Sequence, residues 1–278
     1  MFGQNALLRV PESNYECVPM NQMGIKRWLR RLLPASLLFY LAVAFAQTDE
    51  IQVYDASIAD VGEREFTLHS NYTPVGRTSA AYPGGIVPDH SVNGAFEFAY
   101  GLRDYWELGL YLPVYTVTNE GTVEFDGAKV RTLWVVPHAR EKEFFYGLNV
   151  EYSYNLPHWD TARWTLEARP IVGCHEGPWD LIFNPILDSS FDGIGQTHFA
   201  PAARLAYNAT DRWALGLETY SDFGPIQRSY DWEQQSQTFF AVVDYASAAS
   251  SSIEIGVGHG FTSASDEWIV KLIWNHAF

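Results

Sequence analysis

From about Glu63 to Phe278 the chain alternates apolar and polar residues in strand-length segments separated by clusters of Gly, Asn, Asp, Ser and Pro. In Tyr105–Leu112, Trp106, Leu108, Leu110 and Leu112 fall on one face and Glu107, Gly109 and Tyr111 on the other, because successive strand side chains point to opposite sides. Arg212–Tyr220 repeats the arrangement with Trp213, Leu215 and Leu217 against Gly216 and Glu218, and Glu254–Gly260 does so again. One face is greasy; the other carries charges and glycines. Such strands, joined by tight turns at one end and longer loops at the other, are those of a transmembrane β-barrel.

The pattern predicts strands at Arg64–Thr73, Val92–Gly101, Tyr105–Thr116, Ala128–Pro137, Glu143–Asn155, Arg163–Gly173, Trp179–Leu187, His198–Asn208, Arg212–Ser221, Thr238–Ala246, Ile253–Phe261 and Glu267–Phe278. The expected fold is all-β, an antiparallel barrel of about 12 strands, an even number as in bacterial single-chain barrels, with no helix after residue 46. The connections Gly101–Asp104, Asn208–Asp211 and Ser247–Ser252 read as tight turns. Pro74–Ser91, Val117–Gly127, Asp188–Thr197 and Asp222–Gln237 read as long loops on the opposite side. A soluble sandwich has no reason to sort loop lengths this way, and a soluble lipocalin-like barrel is the alternative.

Lys26–Arg31 is a basic patch, followed by the apolar run Leu32–Ala46, which ends in Ala44-Phe45-Ala46. These are the parts of a secretory signal peptide cut after Ala46, giving Gln47 as the mature N-terminus. The run contains Pro34 and is short for a spanning helix. Residues 1–46 thus read as an upstream extension and signal peptide, 47–62 as a segment in the periplasm, in the lumen or at the barrel seam, and 63–278 as the barrel. The alternation in Glu50–Tyr54 suggests a short strand there.

Charge sharpens the inner face. The whole chain has 18 basic and 33 acidic residues. Removing Arg9, Lys26, Arg27, Arg30, Arg31, Glu12 and Glu16 with the leader leaves a formal charge of about −18. That argues against nucleic acid as a partner. If Trp106 and Leu108 face lipid, the same parity turns Glu97, Glu107, Glu151, Glu167, Glu218, Asp244, Glu254, Arg131, Arg163, Arg169, Arg204 and Lys271 into the lumen. A lipid-facing Arg or Lys at mid-membrane costs about 2–4 kcal/mol, so confinement of charge to one face supports the assignment. Two readings of these charges stand side by side: a pore wall that sets solute preference, and cross-strand ion pairs filling a narrow interior. Gly109, Gly147, Gly216, Gly256 and Gly258 leave part of the wall bare, which favours a passage or a cavity.

The last strand ends in Phe278, with Trp274, Leu272, Val270 and Trp268 at alternate positions before it. It resembles the C-terminal assembly signal of bacterial outer-membrane barrels, with His276 departing from the usual apolar pattern. The turn-Asp-x-Trp-x-Leu-Gly-Leu hairpins, with Arg169-Pro170-Ile171, Gly177-Pro178-Trp179 and Asn184-Pro185-Ile186-Leu187, resemble a family of outer-membrane transporters associated with the meta-pathway of phenol degradation. That resemblance implies an outer-membrane location and uptake of small solutes, aromatic or apolar ones among them. The partners it implies are outer-membrane lipids, lipopolysaccharide, the barrel-assembly machinery and an unidentified small solute.

Catalytic chemistry has little support. The chain lacks Gly-x-Ser-x-Gly, His-Glu-x-x-His, a Gly-Lys phosphate loop and Cys-x-x-Cys. No cofactor or metal is expected. His69 and His198 are the histidines that could face the lumen. The expected function is passive passage of small solutes. The alternatives are a closed structural or adhesive barrel working through its loops and, third, an outer-membrane enzyme.

Overall fold

The computed structural model describes residues 49–247 and 250–278. The signal peptide and its cleavage positions Ala44 and Ala46 lie outside the described residues. Twelve strands close into an antiparallel barrel: β1 (Arg64–Val75), β2 (Val92–Arg103), β3 (Trp106–Val117), β4 (Val123–Val135), β5 (Phe144–Asn155), β6 (Trp164–Glu176), β7 (Trp179–Asn184, resumed at Leu187–Ser189), β8 (His198–Phe199, resumed at Ala202–Asn208), β9 (Trp213–Asp222), β10 (Ser236–Ala246), β11 (Ser251–Gly260) and β12 (Trp268–Ala277). Each pairs with its sequence neighbours, and β1 pairs with β12 at the seam. Phe278 completes the seam, its N–H donating to Arg64 O at 2.9 Å.

The breaks in β7 and β8 have a local cause. The register on either side of each break is the same, so Pro170 of β6, Pro185 of β7 and Pro201 of β8 fall in one row. Proline has no N–H to give to a ladder. The pairing lapses there and resumes beyond it.

The outer face is what lipid requires. Leu108, Leu110, Leu215, Leu217, Ile255 and Val257 are each between 39% and 53% exposed in a continuous apolar belt. Water-soluble monomers rarely leave so large a contiguous apolar surface uncovered. Aromatic pairs ring both ends of the belt. Trp106 stacks on Trp134, Trp179 meets Tyr207 and Trp213 meets Tyr245 at the turn end, and Tyr152 stacks on Trp164 at the loop end. The chain is a transmembrane barrel of the bacterial outer membrane, a class whose short turns lie on the periplasmic side.

Two loop expectations change. β3 and β4 extend further than their sequence pattern, so residues 118–122 make a tight connection closed by Gly121 N–H to Thr118 O at 2.8 Å, in place of a long loop. Register shifts near Tyr111 and Val114 and at Gly127 hid the start of β4, because a bulge breaks the strict alternation that a strand is read from. The expected absence of helix is also modified. Single-turn 3-10 helices occur in loops at Ala139–Glu141, Ile194–Gln196 and Trp232–Gln234.

The plugged lumen as candidate functional site

Residues 49–62 enter the barrel. Ile51, Val53, Tyr54, Ala56 and Ala59 are all buried, and the segment makes no ladder with any strand. It forms a strap down the bore, and its main chain is held from two sides. Asn71 Nδ2 of β1 donates to Asp49 O at 3.0 Å and Lys271 Nζ of β12 to Ile51 O at 3.0 Å. On the opposite wall Arg169 of β6 donates to Gln52 O at 3.0 Å. Asn184 of β7 accepts from Tyr54 N–H at 2.8 Å and donates to Tyr54 O at 3.0 Å. Odd residues turn to one wall and even residues to the other, as the carbonyls of an extended chain do. The alternation in Glu50–Tyr54 is thus that of an extended chain, satisfied by side chains and not by another strand. Lower down, Ala59 N–H donates to Glu107 Oε2 at 2.5 Å, and Gly62 N–H to Gly101 O at 2.8 Å leads the chain into β1.

The inner wall is not uniformly polar. Leu133, Val135, Phe145, Ile171, Ile182 and Ile186 point inward and bury Val53, Tyr54 and Ala56 of the strap. Phe240 and Val242 do the same for Ile51. Period-2 alternation separates two faces, but it does not oblige the inner one to be hydrophilic when a segment packs against it.

The charged residues form three clusters. In the first, Arg131 of β4 donates to Glu97 at 2.6 Å and to Glu107 at 2.7 Å, and His69 Nε2 lies 3.0 Å from the other Glu97 oxygen. In the second, Arg169 binds both oxygens of Glu167 at 2.6 and 3.1 Å and lies 3.6 Å from Glu50. In the third, Arg204 contacts Glu218 at 2.6 Å, Glu254 at 2.7 Å and Asp244, while Lys271 lies 2.5 Å from both Glu218 and Glu254. Glu151 stands between the first two. It faces Glu167 directly across β5 and β6 and accepts from Asn149 at 2.7 Å and from the Tyr54 hydroxyl at 3.3 Å. The remaining assignment fails: Arg163 is exposed at the rim, its guanidinium 5.9 Å from the outward Tyr154 ring. It precedes the first residue of β6, where strand parity no longer fixes direction.

Lys129, Asn71 and Asn184 also hold the strap, although the charge pattern of the strands does not single them out. Lys129 shares the parity of Arg131 and binds Asp49 at 2.7 Å. Uncharged Asn71 and Asn184 carried no signal that distinguished them from other inward polar residues.

The wall glycines do not line an open passage. A side-chain carbon at Gly109 would meet Arg131 at 2.6 Å, and one at Gly258 would meet the Phe240 ring at 2.5 Å. At Gly216 and Gly256 the obstacle is Val242, at 2.6 and 2.8 Å. These glycines make room for the large side chains that fill the bore.

The loop end is covered as well. Loop 76–91 folds over the mouth, with Arg77 bonded to Asp266 at 3.0 Å and Ile86 packed against Tyr111, Val114 and Trp159. His158 from the neighbouring loop reaches Asp126 at 3.0 Å. Burial pushes the Tyr82 hydroxyl up to about 12. Because Ile86 packs this cover onto the inner wall, deleting Thr78–Asp89 is expected to raise the conductance of individual open events and to speed access of soluble thiol reagents to Thr116→Cys protein. Unchanged open-event conductance and labelling would show that the loop does not limit the mouth.

Comparison with solved structures supports the fold. An outer-membrane channel from Pseudomonas putida F1 superposes with a TM-score of 0.56 at 13% identity, covering 82% of this chain and 100% of that one. The KdgM porin gives 0.51 at 7% identity, covering 77% and 99% of the two chains, and the NanC porin 0.50 at 7%, covering 76% and 98%. No known family model and no curated protein matches the sequence. The likeness is therefore one of architecture: a small outer-membrane barrel of the kind found in channels and porins.

Proposed function

We propose that the barrel is an outer-membrane channel for small solutes, seen here closed by its own strap, and that it has no enzymatic role. The observation that carries this reading is how the strap is held. Most of its polar contacts are single hydrogen bonds from wall side chains to its main chain, and no ladder anchors it. The strap therefore can withdraw without breaking a single ladder bond of the barrel wall, which stays closed on its own strand pairs. The wall it would uncover combines ion pairs with the apolar patch from Leu133 to Ile186. That mixture supports small aromatic or apolar solutes, in keeping with the resemblance to transporters of the phenol meta-pathway. The architectural likeness to channels and porins supports the same reading. Outer-membrane lipid, lipopolysaccharide and the assembly machinery, acting on the strand that ends in Trp274 and Phe278, complete the proposed partners.

Planar-bilayer recording tests it. Wild-type protein is expected to open rarely. Tyr54→Ala removes the ring buried between two guanidiniums and the hydroxyl bonded to Tyr111 at 2.7 Å, and it is expected to raise the open fraction at least tenfold. If both proteins stay silent while folded, the barrel is a closed structural one and works through its loops.

A further inference from the structure

The way the wall holds the strap describes a receptor for peptide. Resting on the channel reading above, we propose that the closed lumen is also a peptide-binding groove, that the strap is its built-in occupant, and that, beside the small solutes of the open channel, it takes a short peptide with one acidic residue five positions before an aromatic one.

Three features of the geometry point there. First, the wall reads main chain. Five main-chain groups on four strap residues, Asp49 O, Ile51 O, Gln52 O and the Tyr54 N–H and C=O, are met by side chains from four different strands. The paired bonds of Asn184 to one residue reproduce what a neighbouring strand would offer. Such contacts do not depend on side-chain identity, and in other peptide grooves they supply affinity while side-chain pockets supply specificity.

Second, there are two side-chain subsites. Lys129 receives the Asp49 carboxylate at 2.7 Å. The Tyr54 ring lies with the Arg169 guanidinium 4.5 Å and the Arg131 guanidinium 5.6 Å from its centre, and its hydroxyl meets Tyr111. Cations over an aromatic face attract it, more strongly where water is excluded. The first subsite selects an acidic residue. The second selects an aromatic one five positions on.

Third, Glu50 is 4% exposed, and neither of its carboxylate oxygens has a hydrogen-bond donor among the described residues. The Arg169 guanidinium lies 3.6 Å from it. The strap is thus an imperfect ligand. A peptide with a neutral residue at that position would fit without burying this carboxylate, so an exogenous peptide can compete with a strap that has the advantage of being tethered.

The test uses full-length protein and a labelled synthetic peptide with the sequence of residues 49–60, followed by fluorescence anisotropy in detergent. The peptide is expected to bind Tyr54→Ala protein saturably, and wild type at least tenfold more weakly because the intact strap competes. Adding Asn184→Ala to Tyr54→Ala is expected to weaken binding by a further tenfold or more. A peptide with Gln in place of Glu50 is expected to bind more tightly than the native sequence, and one with Ala in place of Tyr54 more weakly. Heat-dependent gel migration verifies that each variant is folded, and Val53→Ala substitutes for Tyr54→Ala if that protein does not fold. If a folded strap variant binds none of these peptides, or binds a scrambled peptide equally well, the inference is wrong. The channel reading fails separately: a strap variant that conducts but binds no peptide keeps the channel and removes the groove, whereas one that binds peptide and never conducts keeps the groove and removes the channel.

Discussion

Arg131→Met is expected to destabilise the barrel by about 3–5 kcal/mol, the usual cost of removing one partner from a buried ion cluster. Arg131 is 8% exposed, and the carboxylates it serves, Glu97 and Glu107, are 4% and 1% exposed. Among the described residues, Glu97 would keep only His69, and Glu107 only the Ala59 amide. Methionine fills most of the volume, so the loss reports charge and not a cavity. Adding Glu97→Gln and Glu107→Gln is expected to restore much of the stability, because the cost lies in uncompensated charge and not in the absence of the pair. The measurement is the urea midpoint for unfolding from detergent or lipid, read by heat-dependent gel migration. A single variant as stable as wild type would mean that water reaches these carboxylates. Since Glu107 also anchors Ala59 of the strap, the single variant is further expected to open more often.

Arg204→Ala is expected to change stability and ion preference together. Arg204 is the common partner of Glu218, Glu254 and Asp244. Lys271 remains on two of these carboxylates, which places the loss toward the lower end of about 3–5 kcal/mol. The Asp244 side chain is 25% exposed, so this cluster reaches solvent on one side. In an open channel, losing the cation while the three carboxylates remain is expected to move the reversal potential toward cation preference. A lower melting temperature with unchanged selectivity would make the cluster purely structural. Lys271→Met provides the contrast: Lys271 is completely buried and bonds the strap at Ile51 O, so it is expected to affect opening more than selectivity.

The barrel itself was legible in the chain because lipid imposes a rule that each strand obeys alone. Every second residue must be apolar, every backbone group must be paired, and charge must turn inward. That rule is local, so Trp106 to Leu112 or Trp213 to Leu217 suffices to read it, and it also separated inward Glu107, Arg131 and Arg204 from the lipid face. It failed where the backbone departs from period 2: at the bulged start of β4, and at Arg163, which lies just beyond a strand. The prolines at 170, 185 and 201 were visible, but only the register of three strands shows that they share a row. Whether the lumen is open was not a local matter. The glycines that suggested a passage are filled by side chains from neighbouring strands, such as Arg131 over Gly109 and Phe240 over Gly258. The alternation in Glu50–Tyr54 was compatible with the periplasm, the seam or the bore. Its position was decided by Asn71, Lys129, Arg169, Asn184 and Lys271, residues from five strands spread along the chain that converge only after the ring has closed. The sequence by itself determined which face meets lipid, because each strand answers to the same solvent. What fills the barrel was decided by the tertiary structure, because that depends on which distant side chains meet across the bore.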